Sequence, residues 1–394
     1  MPAAVLPRED LPFPGSLPEF QRLFPDDTAC AAYLEAIRWR DGFVCGWCGK
    51  PGEPYRFANR PHVLRCRNCQ RDNALTAGTV MERARTPLSI WFWAAYLVSS
   101  HTPGMSAVQF QRQLGLNRYE TAFQILHKLR AGMVRPGRNR IGGYPRDHVE
   151  IDESWVGGRT RGEGRGVHDQ SLVIAAVEVR HRKPENVKGV PRRNGRYAGR
   201  IRMEVVPDRS ARSLCGFVEA AVEPGVVVVT DAWGGYATLP DRGYRHLPVA
   251  AQGDPSVAED FLPISHLIFS NLKSWLRGCH HGVSPQHLQA YLNEFTFRFN
   301  RRFYPFNAFR SLLGISGQAA APTYDGLYTG SWQHQDEAAN AGAFFPIIHT
   351  LFSNIKAWLA APITASAPST CRAICGNGPT GSIAATCPTV WTAT

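Results

Sequence analysis

The sequence predicts an α+β multidomain chain, and three changes of texture along it predict that class. Two Cys-x-x-Cys pairs, Cys45/Cys48 and Cys66/Cys69, stand 17 residues apart. A helical pattern then occupies 86 to 140. From 148 the residues alternate as strands do, and two runs carry an aspartate near their end, Asp152 and Asp231. At 394 residues the chain exceeds one ordinary domain.

Bulk composition narrows the partners. With 44 Lys+Arg against 32 Asp+Glu, the net charge of +12 suits a polyanion such as DNA. The opening MPAAVLPREDLPFPG lacks the basic start and apolar run of a signal peptide. No apolar run reaches the ~20 residues that span a membrane. A cytoplasmic, nucleoid-associated bacterial protein with no membrane partner is therefore expected. In such a compartment the ten cysteines are metal ligands or free thiols rather than disulfides.

Residues 1–85 form the first unit. PEFQRLFPDDTACAAYLEAIRW carries a helical pattern with Asp26 or Asp27 as a cap and Cys30 buried inside it. CGWC and CRNC then supply two knuckles that present paired thiolates, and together they close a tetrahedral site. Four cysteines, Cys45, Cys48, Cys66 and Cys69, leave no open position, so structural Zn²⁺ is expected. Arg56, Arg60, Arg65, Arg67 and Arg71 surround the knuckles, where they can meet phosphates.

Residues 86–145 read as helical. TPLSIWFWAAYLVSS is a buried helix with Pro87 at its first turn. The text from Met105 to Met133 gives two helices around a turn at Gly115-Leu116-Asn117, a spacing that suits a helix-turn-helix. Arg118, Lys128 and Arg130 on the second helix are the DNA-binding candidates. A plain helical hairpin fits the same text.

Residues 146–335 read as three strands, HVEIDESWVGG, SLVIAAVEVR and RIRMEVVP, then the helix SARSLCGFVEAAV, then the strand GVVVVTD. That order is the one of an RNase H-like α/β core. The loops 159–170 and 181–200 are basic. After a variable stretch at 237–260, HLIFSNLKSWLRG is an amphipathic helix with His266, Ser270 and Lys273 on one face. That polar face would meet the aspartate-bearing strand ends. The next helix ends in a basic, aromatic cluster containing Arg301 and Arg302, further DNA-binding candidates. His280 and His281, beside Gly282, contact DNA or cap a turn.

Phosphodiester cleavage by metal ions needs several hard oxygen ligands close together. Asp152 and Asp231 are the best-placed carboxylates, because the run Val226 to Val229 is a buried strand that exposes Asp231 at its end. Glu150 shares the face of Asp152 in an ideal strand and Glu153 does not. Either is a candidate ligand.

Residues from about 25 to 335 resemble the ISXO-like insertion-sequence transposases, which join a zinc ribbon to a DDE-type RNase H-like core. The resemblance rests on CGWC…CRNC, TAGTV, HVEIDESWVGG, VVTDAWGGY and FSNLKSWLRGCHHGVSPQHLQAYLNEFTFRFNRR. In that family the third metal-site residue varies among Glu, Asn and His, with a Lys seven residues on. The resemblance thus implies Asp152, Asp231 and His266 as a catalytic site for Mg²⁺ or Mn²⁺, and Lys273 as a phosphate contact. Imidazole suits Mn²⁺ better than Mg²⁺. Should His266 not be the third ligand, Glu259, Asp260 and Glu294 are the carboxylates to test. The family also implies double-stranded DNA partners, terminal inverted repeats and target DNA, and a homo-oligomer that pairs two ends. Its activity would be cleavage of element ends and joining of 3′ hydroxyls to target. The alternative is a catalytically dead zinc-ribbon DNA-binding protein derived from such an element. A nuclease that cuts and never joins is a third.

Residues 336–394 read as a broken second copy. FFPIIHTLFSNIKAWL repeats FLPISHLIFSNLKSWL, and His349 and Lys356 reproduce the spacing of His266 and Lys273. After about 359 the text turns Ala/Thr/Pro-rich, and suitable codons read in the neighbouring frame restore a parallel to GCHHGVSPQHLQAYLNEF. A frameshifted, poorly ordered partial repeat is expected, with His349 and Lys356 non-catalytic and Cys371, Cys375 and Cys387 outside any metal site. The coding DNA tests this.

Overall fold

The computed structural model describes residues 11–101, 104–134, 139–144, 147–157, 170–181, 195–250, 262–317, 322 and 324–329. The loops expected at 159–170 and 181–200 lie mostly outside these residues, and Glu259, Asp260 and the repeat at 336–394 lie wholly outside them.

The N-terminal helices are α1, Leu17–Leu23, and α2, Asp27–Arg38. Ser16 caps the first and Asp26 the second, each side-chain oxygen accepting an amide N–H three residues on. A three-stranded antiparallel ribbon follows, with β1 Tyr55–Arg56, β2 Val63–Arg65 and β3 Asp72–Ala74. The apolar text at 88 forms α3, Leu88–Ser100. Pro87 stands at its N-cap and offers no side-chain acceptor. Asp27 does so instead, taking the Ser89 and Leu88 N–H groups at 2.9 and 3.2 Å. Cys30 is fully buried, as expected.

The two short helices are α4, Ala107–Gln113, and α5, Tyr119–Ala131, with Gly115 in the left-handed region between them. Beyond Glu120 no side chain of α5 is exposed. From Thr121 on it is packed into the molecule, while Arg118, Tyr119 and Glu120 at its start are exposed, an arrangement open to a helix-turn-helix and to a plain helical hairpin alike. The Arg130 guanidinium is 2% exposed and pairs with Glu294 at 2.8 Å, so it is a buried ion pair rather than a DNA contact. Lys128 is half-buried and donates to the Glu82 carbonyl at 2.7 Å. Arg118, before the helix, is exposed.

The larger sheet contains β4 His148–Val156, β5 Ser171–His181, β6 Arg196–Val206, β7 Val227–Asp231 and β8 Arg245–Val249. Its order is β6-β5-β4-β7-β8. The first three pair antiparallel, and β4-β7 and β7-β8 pair parallel, as expected of an RNase H-like core. Strand β8 was not foreseen. RHLPV has little apolar alternation and contains Pro248, which is tolerated because β8 is an edge strand.

Helix α6, Ala211–Ala221, covers one face, meeting Val149, Ile151, Leu172, Ile174 and Ala176. Helices α7, Pro263–His280, and α8, Pro285–Asn300, cover the other, meeting Val156, Val173, Ala175 and Val177. His281 ends α7 in the left-handed conformation, the turn cap expected of it. His280 instead packs its ring 4.7 Å from Tyr291 and 4.8 Å from Trp275.

Two more helices close the described chain, α9 Pro305–Ser316 and α10 Tyr324–Thr329. Helix α9 leaves the sheet and joins the N-terminal core. Phe309 lies 5.6 Å from Phe24, 6.0 Å from Phe20 and 6.2 Å from Phe92 between ring centres. The ribbon, α1 to α5 and α9 thus share one apolar core. Among the described residues no helix is long and apolar enough to cross a membrane.

Candidate active site and metal centre

The four ribbon cysteines converge. All four sulfur atoms lie within 4.8 Å of one another. Cys45 and Cys69 are 3.6 Å apart, Cys48 and Cys66 3.8 Å. Tetrahedral zinc with Zn–S of about 2.3 Å requires S···S edges of about 3.8 Å. The Trp47 N–H donates to Cys45 Sγ and the Asn68 N–H to Cys66 Sγ, at 3.4 and 3.3 Å. Burial works against ionisation of Cys45. The Cys48 and Trp47 amides and Asn73 outweigh it and bring the thiol down to about 6. The residues fit structural zinc: four thiolate donors at the right separation, already served by amide dipoles.

The second centre lies on β4. Glu150, Asp152 and Ser154 alternate onto the face covered by α7, and Glu153 turns to the other. Each of the three meets α7. Glu150 Oε2 accepts the Ser265 N–H at 2.7 Å. Asp152 Oδ2 lies 3.6 Å from His266 Nε2. Lys273 Nζ donates to Ser154 Oγ at 2.7 Å. The seven-residue step from His266 to Lys273 is two helical turns, about 10.5 Å. Two turns are long enough to follow the strand from Asp152 past Ser154.

Asp231 is the last residue of β7. The parallel register pairs Val149 with Val228 and Glu150 with Val229. Continuing it by two residues sets Asp231 beside Asp152, which is how the two apolar runs deliver carboxylates to one place. Burial pushes the Asp152 carboxyl up to about 7, with the charges of Glu153 and Asp231 adding to it. The donor types, two carboxylates and an imidazole, are ones that divalent cations accept. Asp152 and His266 stand at the separation two ligands of one ion take. Asp231 Oδ2 lies 3.3 Å from Arg209 Nη2. Among the described residues only the four cysteines bring three potential ligand atoms within 4.8 Å of one another.

Several site residues went unread in the sequence. Arg209, before α6, pairs with Glu153 and reaches Asp231. The Tyr236 hydroxyl donates to Glu153 Oε2 at 2.5 Å. The Trp233 indole N–H donates to the Arg209 carbonyl at 3.0 Å. Gly235 permits this fold-back, since a Cβ there would stand 2.8 Å from the same carbonyl. Tyr236 and Trp233 lie inside DAWGGY, so proximity to Asp231 was the available signal. Nothing in the PDRSAR text marks Arg209.

The remaining candidates are engaged within the protein. Glu294 is 2% exposed and bonded to Arg130, with Arg298 at 3.4 Å, so it serves a buried pair and is corrected as a metal-ligand candidate. Arg302 donates to the carbonyls of Phe299, Gly199 and Ala198. Burial lowers it to about 10, and its bonds tie the end of α8 to β6. Arg301 lies over the Phe297 ring at 3.8 Å and donates to the Phe297 carbonyl.

Two family models match this chain. The model of the ISXO2-like transposase domain matches residues 145–300, which include Asp152, Asp231, His266 and Lys273. The model of the transposase zinc-ribbon domain matches residues 25–72, which include all four ribbon cysteines. A relative in Halobacterium salinarum is described as an uncharacterized protein in transposable element ISH50. It is 24% identical over 284 residues, covering 70% of this chain and 92% of the relative. No solved structure matches.

Proposed function

Taking this chain as a member of the ISXO2-like transposases, with a zinc ribbon ahead of its transposase domain, we propose that it cleaves the ends of its element and joins the 3′ hydroxyls to target DNA. The observation that supports this reading is the placing of Asp152 and Asp231 on adjacent parallel strands, with His266 3.6 Å from Asp152.

Asp152, Asp231 and His266 would hold divalent ions, Mg²⁺ or Mn²⁺, whose chemistry is to activate the attacking oxygen and stabilise the leaving one. His266 adds a nitrogen donor, which favours Mn²⁺. Lys273 stands on the same helix face and would take a non-bridging phosphate oxygen. Lys273 is an exposed residue whose ammonium donates to Ser154 Oγ at 2.7 Å. No covalent enzyme intermediate is needed, since water and then the 3′ hydroxyl serve as nucleophiles. The ribbon, whose Trp47 is 63% exposed with Arg71 over its ring, would contact the terminal inverted repeats. Pairing of two ends would require an oligomer.

A second reading has one observation in its favour. Arg209 engages Asp231, and a core that keeps this contact would bind DNA without cutting it. The test uses DNA carrying the inverted repeats that flank the gene, with Mg²⁺, Mn²⁺ or chelator. Residues 1–335 and the full chain are assayed in parallel, with Asp231→Ala as control. Joining that is lost with chelator and with Asp231→Ala supports the transposase. Binding without cleavage by either form supports the DNA-binding alternative. Cleavage without joining supports a nuclease.

A further inference from the structure

We propose that Arg209 is a positioning residue that aims the Asp231 carboxylate and, through its charge, tempers how tightly the acidic site takes a divalent cation. This rests on the reading of Asp152 and Asp231 as that site.

The guanidinium joins carboxylates from the adjacent strands β4 and β7. Its Nε donates to Glu153 Oε1 at 2.5 Å, and Nη2 reaches Asp231 Oδ2 at 3.3 Å. Its Cζ stands 4.3 Å from the Trp233 ring centre, a cation–π contact. The backbone of Arg209 is held as well, by the Trp233 indole on its carbonyl and by the close approach of Gly235. Glu153 in turn is fixed by the Tyr236 hydroxyl. The other Asp231 oxygen accepts the Trp233 N–H at 3.3 Å. Both oxygens of Asp231 therefore have a donor, and one of those donors is a full positive charge on a built support.

Glu153 has a different task from the ligand role open to it in the sequence. It turns away from the Asp152 face and anchors the arginine. The fork geometry matters, because a guanidinium has several donors in a fixed plane and can bridge two carboxylates at once. The charge matters independently. A cation this close to Asp231 competes with any divalent ion for the same oxygens, and its field opposes their approach.

Aim and charge separate by substitution. Arg209→Met removes both with similar bulk. It should raise Mn²⁺ affinity about 3- to 10-fold, because a competing cation is gone and Glu153 is freed. It should slow strand cleavage at least about 10-fold, because Asp231 loses its support. Arg209→Lys keeps the charge and loses the fork. Its Mn²⁺ affinity should stay within about 2-fold of the native chain while cleavage still slows. Opposite movement of affinity and rate is what a general loss of structure cannot give.

The experiment titrates free Mn²⁺ by electron paramagnetic resonance against the full, zinc-loaded chain and both variants. Thermal melting and cleavage are measured in parallel. Unchanged Mn²⁺ affinity in Arg209→Met would overturn the charge role. So would weaker binding that tracks a lowered melting temperature. Native cleavage rates in Arg209→Lys and Arg209→Met would overturn the aiming role. Asp231→Ala separates the underlying reading: if it binds Mn²⁺ as the native chain does, the acidic site itself is misassigned and the proposal falls with it. Weaker binding by Asp231→Ala leaves any failure with Arg209 alone.

Discussion

The Glu150 carboxylate accepts the Ser265 backbone N–H at 2.7 Å across 115 residues of sequence, and both residues are 0% exposed. Pro263 begins α7, and Leu262 before it offers no side-chain acceptor, so the helix takes its cap from a strand. The unpaired amides at a helix N-terminus need acceptors, and a carboxyl oxygen of Glu150 supplies one. This contact places His266, the next residue, against Asp152, two residues along β4. Glu150→Ala should cost about 1–3 kcal/mol in urea unfolding, the penalty of leaving a buried donor unpaired. Glu150→Gln keeps an acceptor and should recover part of that loss. Equal stability of Glu150→Ala and the native chain would show that the helix is held otherwise.

Arg130 and Glu294 make the second long-range lock, joining α5 to α8. Breaking a buried pair leaves one charge uncompensated, so Arg130→Met should cost about 3–5 kcal/mol. Arg130→Met with Glu294→Leu should be less damaging than Arg130→Met alone. At a temperature where Arg130→Met is folded, its DNA affinity should equal the native value. Arg118→Ala, at an exposed site, should leave stability unchanged.

Acid sensitivity should come partly from histidines. Burial, with the charges of His181 and Arg196, holds His148 down to about 4. Burial and the charge of Arg130 hold His280 down to about 4 as well. The ordinary value is 6.5, so the unfolded chain binds these protons first as pH falls. Their contribution is complete above pH 6.5 and is lost as pH falls from 6.5 toward 4. Glu150, raised by burial to about 7, acts oppositely and favours the fold at lower pH. A variant comparison isolates one group. His280→Gln should shrink the stability lost between pH 7 and pH 5 by about 1–2 kcal/mol. An unchanged loss would remove His280 from the account.

Metal analysis should find about one zinc per folded chain. Cys45 and Cys66 belong to the N-terminal apolar core, so zinc loss should disturb more than the ribbon. Cys66→Ser should lose the metal, increase dye binding to exposed apolar surface and expose the amides of β2 and β3 to hydrogen exchange.

The ribbon was legible because matched Cys-x-x-Cys spacings have few other uses. Asp231 was legible as the residue that closes a buried run, and it does end β7, whereas Asp152, read as standing where its run ends, lies in the middle of β4, which continues to Val156. Their adjacency depends on the parallel pairing of β4 with β7, which no local pattern encodes. Contacts between distant segments were hidden for the same reason. Arg130 reads as a basic helix residue until Glu294 is brought to it. Arg209 reads as part of a loop until DAWGGY folds back over it. Glu150 stood beside Asp152 and invited reading as a ligand, while its partner is a main-chain amide far downstream.

Phe309, on α9, completes an aromatic cluster otherwise drawn from residues 20–96. During synthesis the ribosome must therefore release some 300 residues before the first hundred can finish their own interior. The N-terminal part waits partly open while the central sheet is being made. The N-terminal part should not fold as a detachable unit without α9. A nascent chain arrested before residue 305 should hold a nascent N-terminal core that a protease still finds.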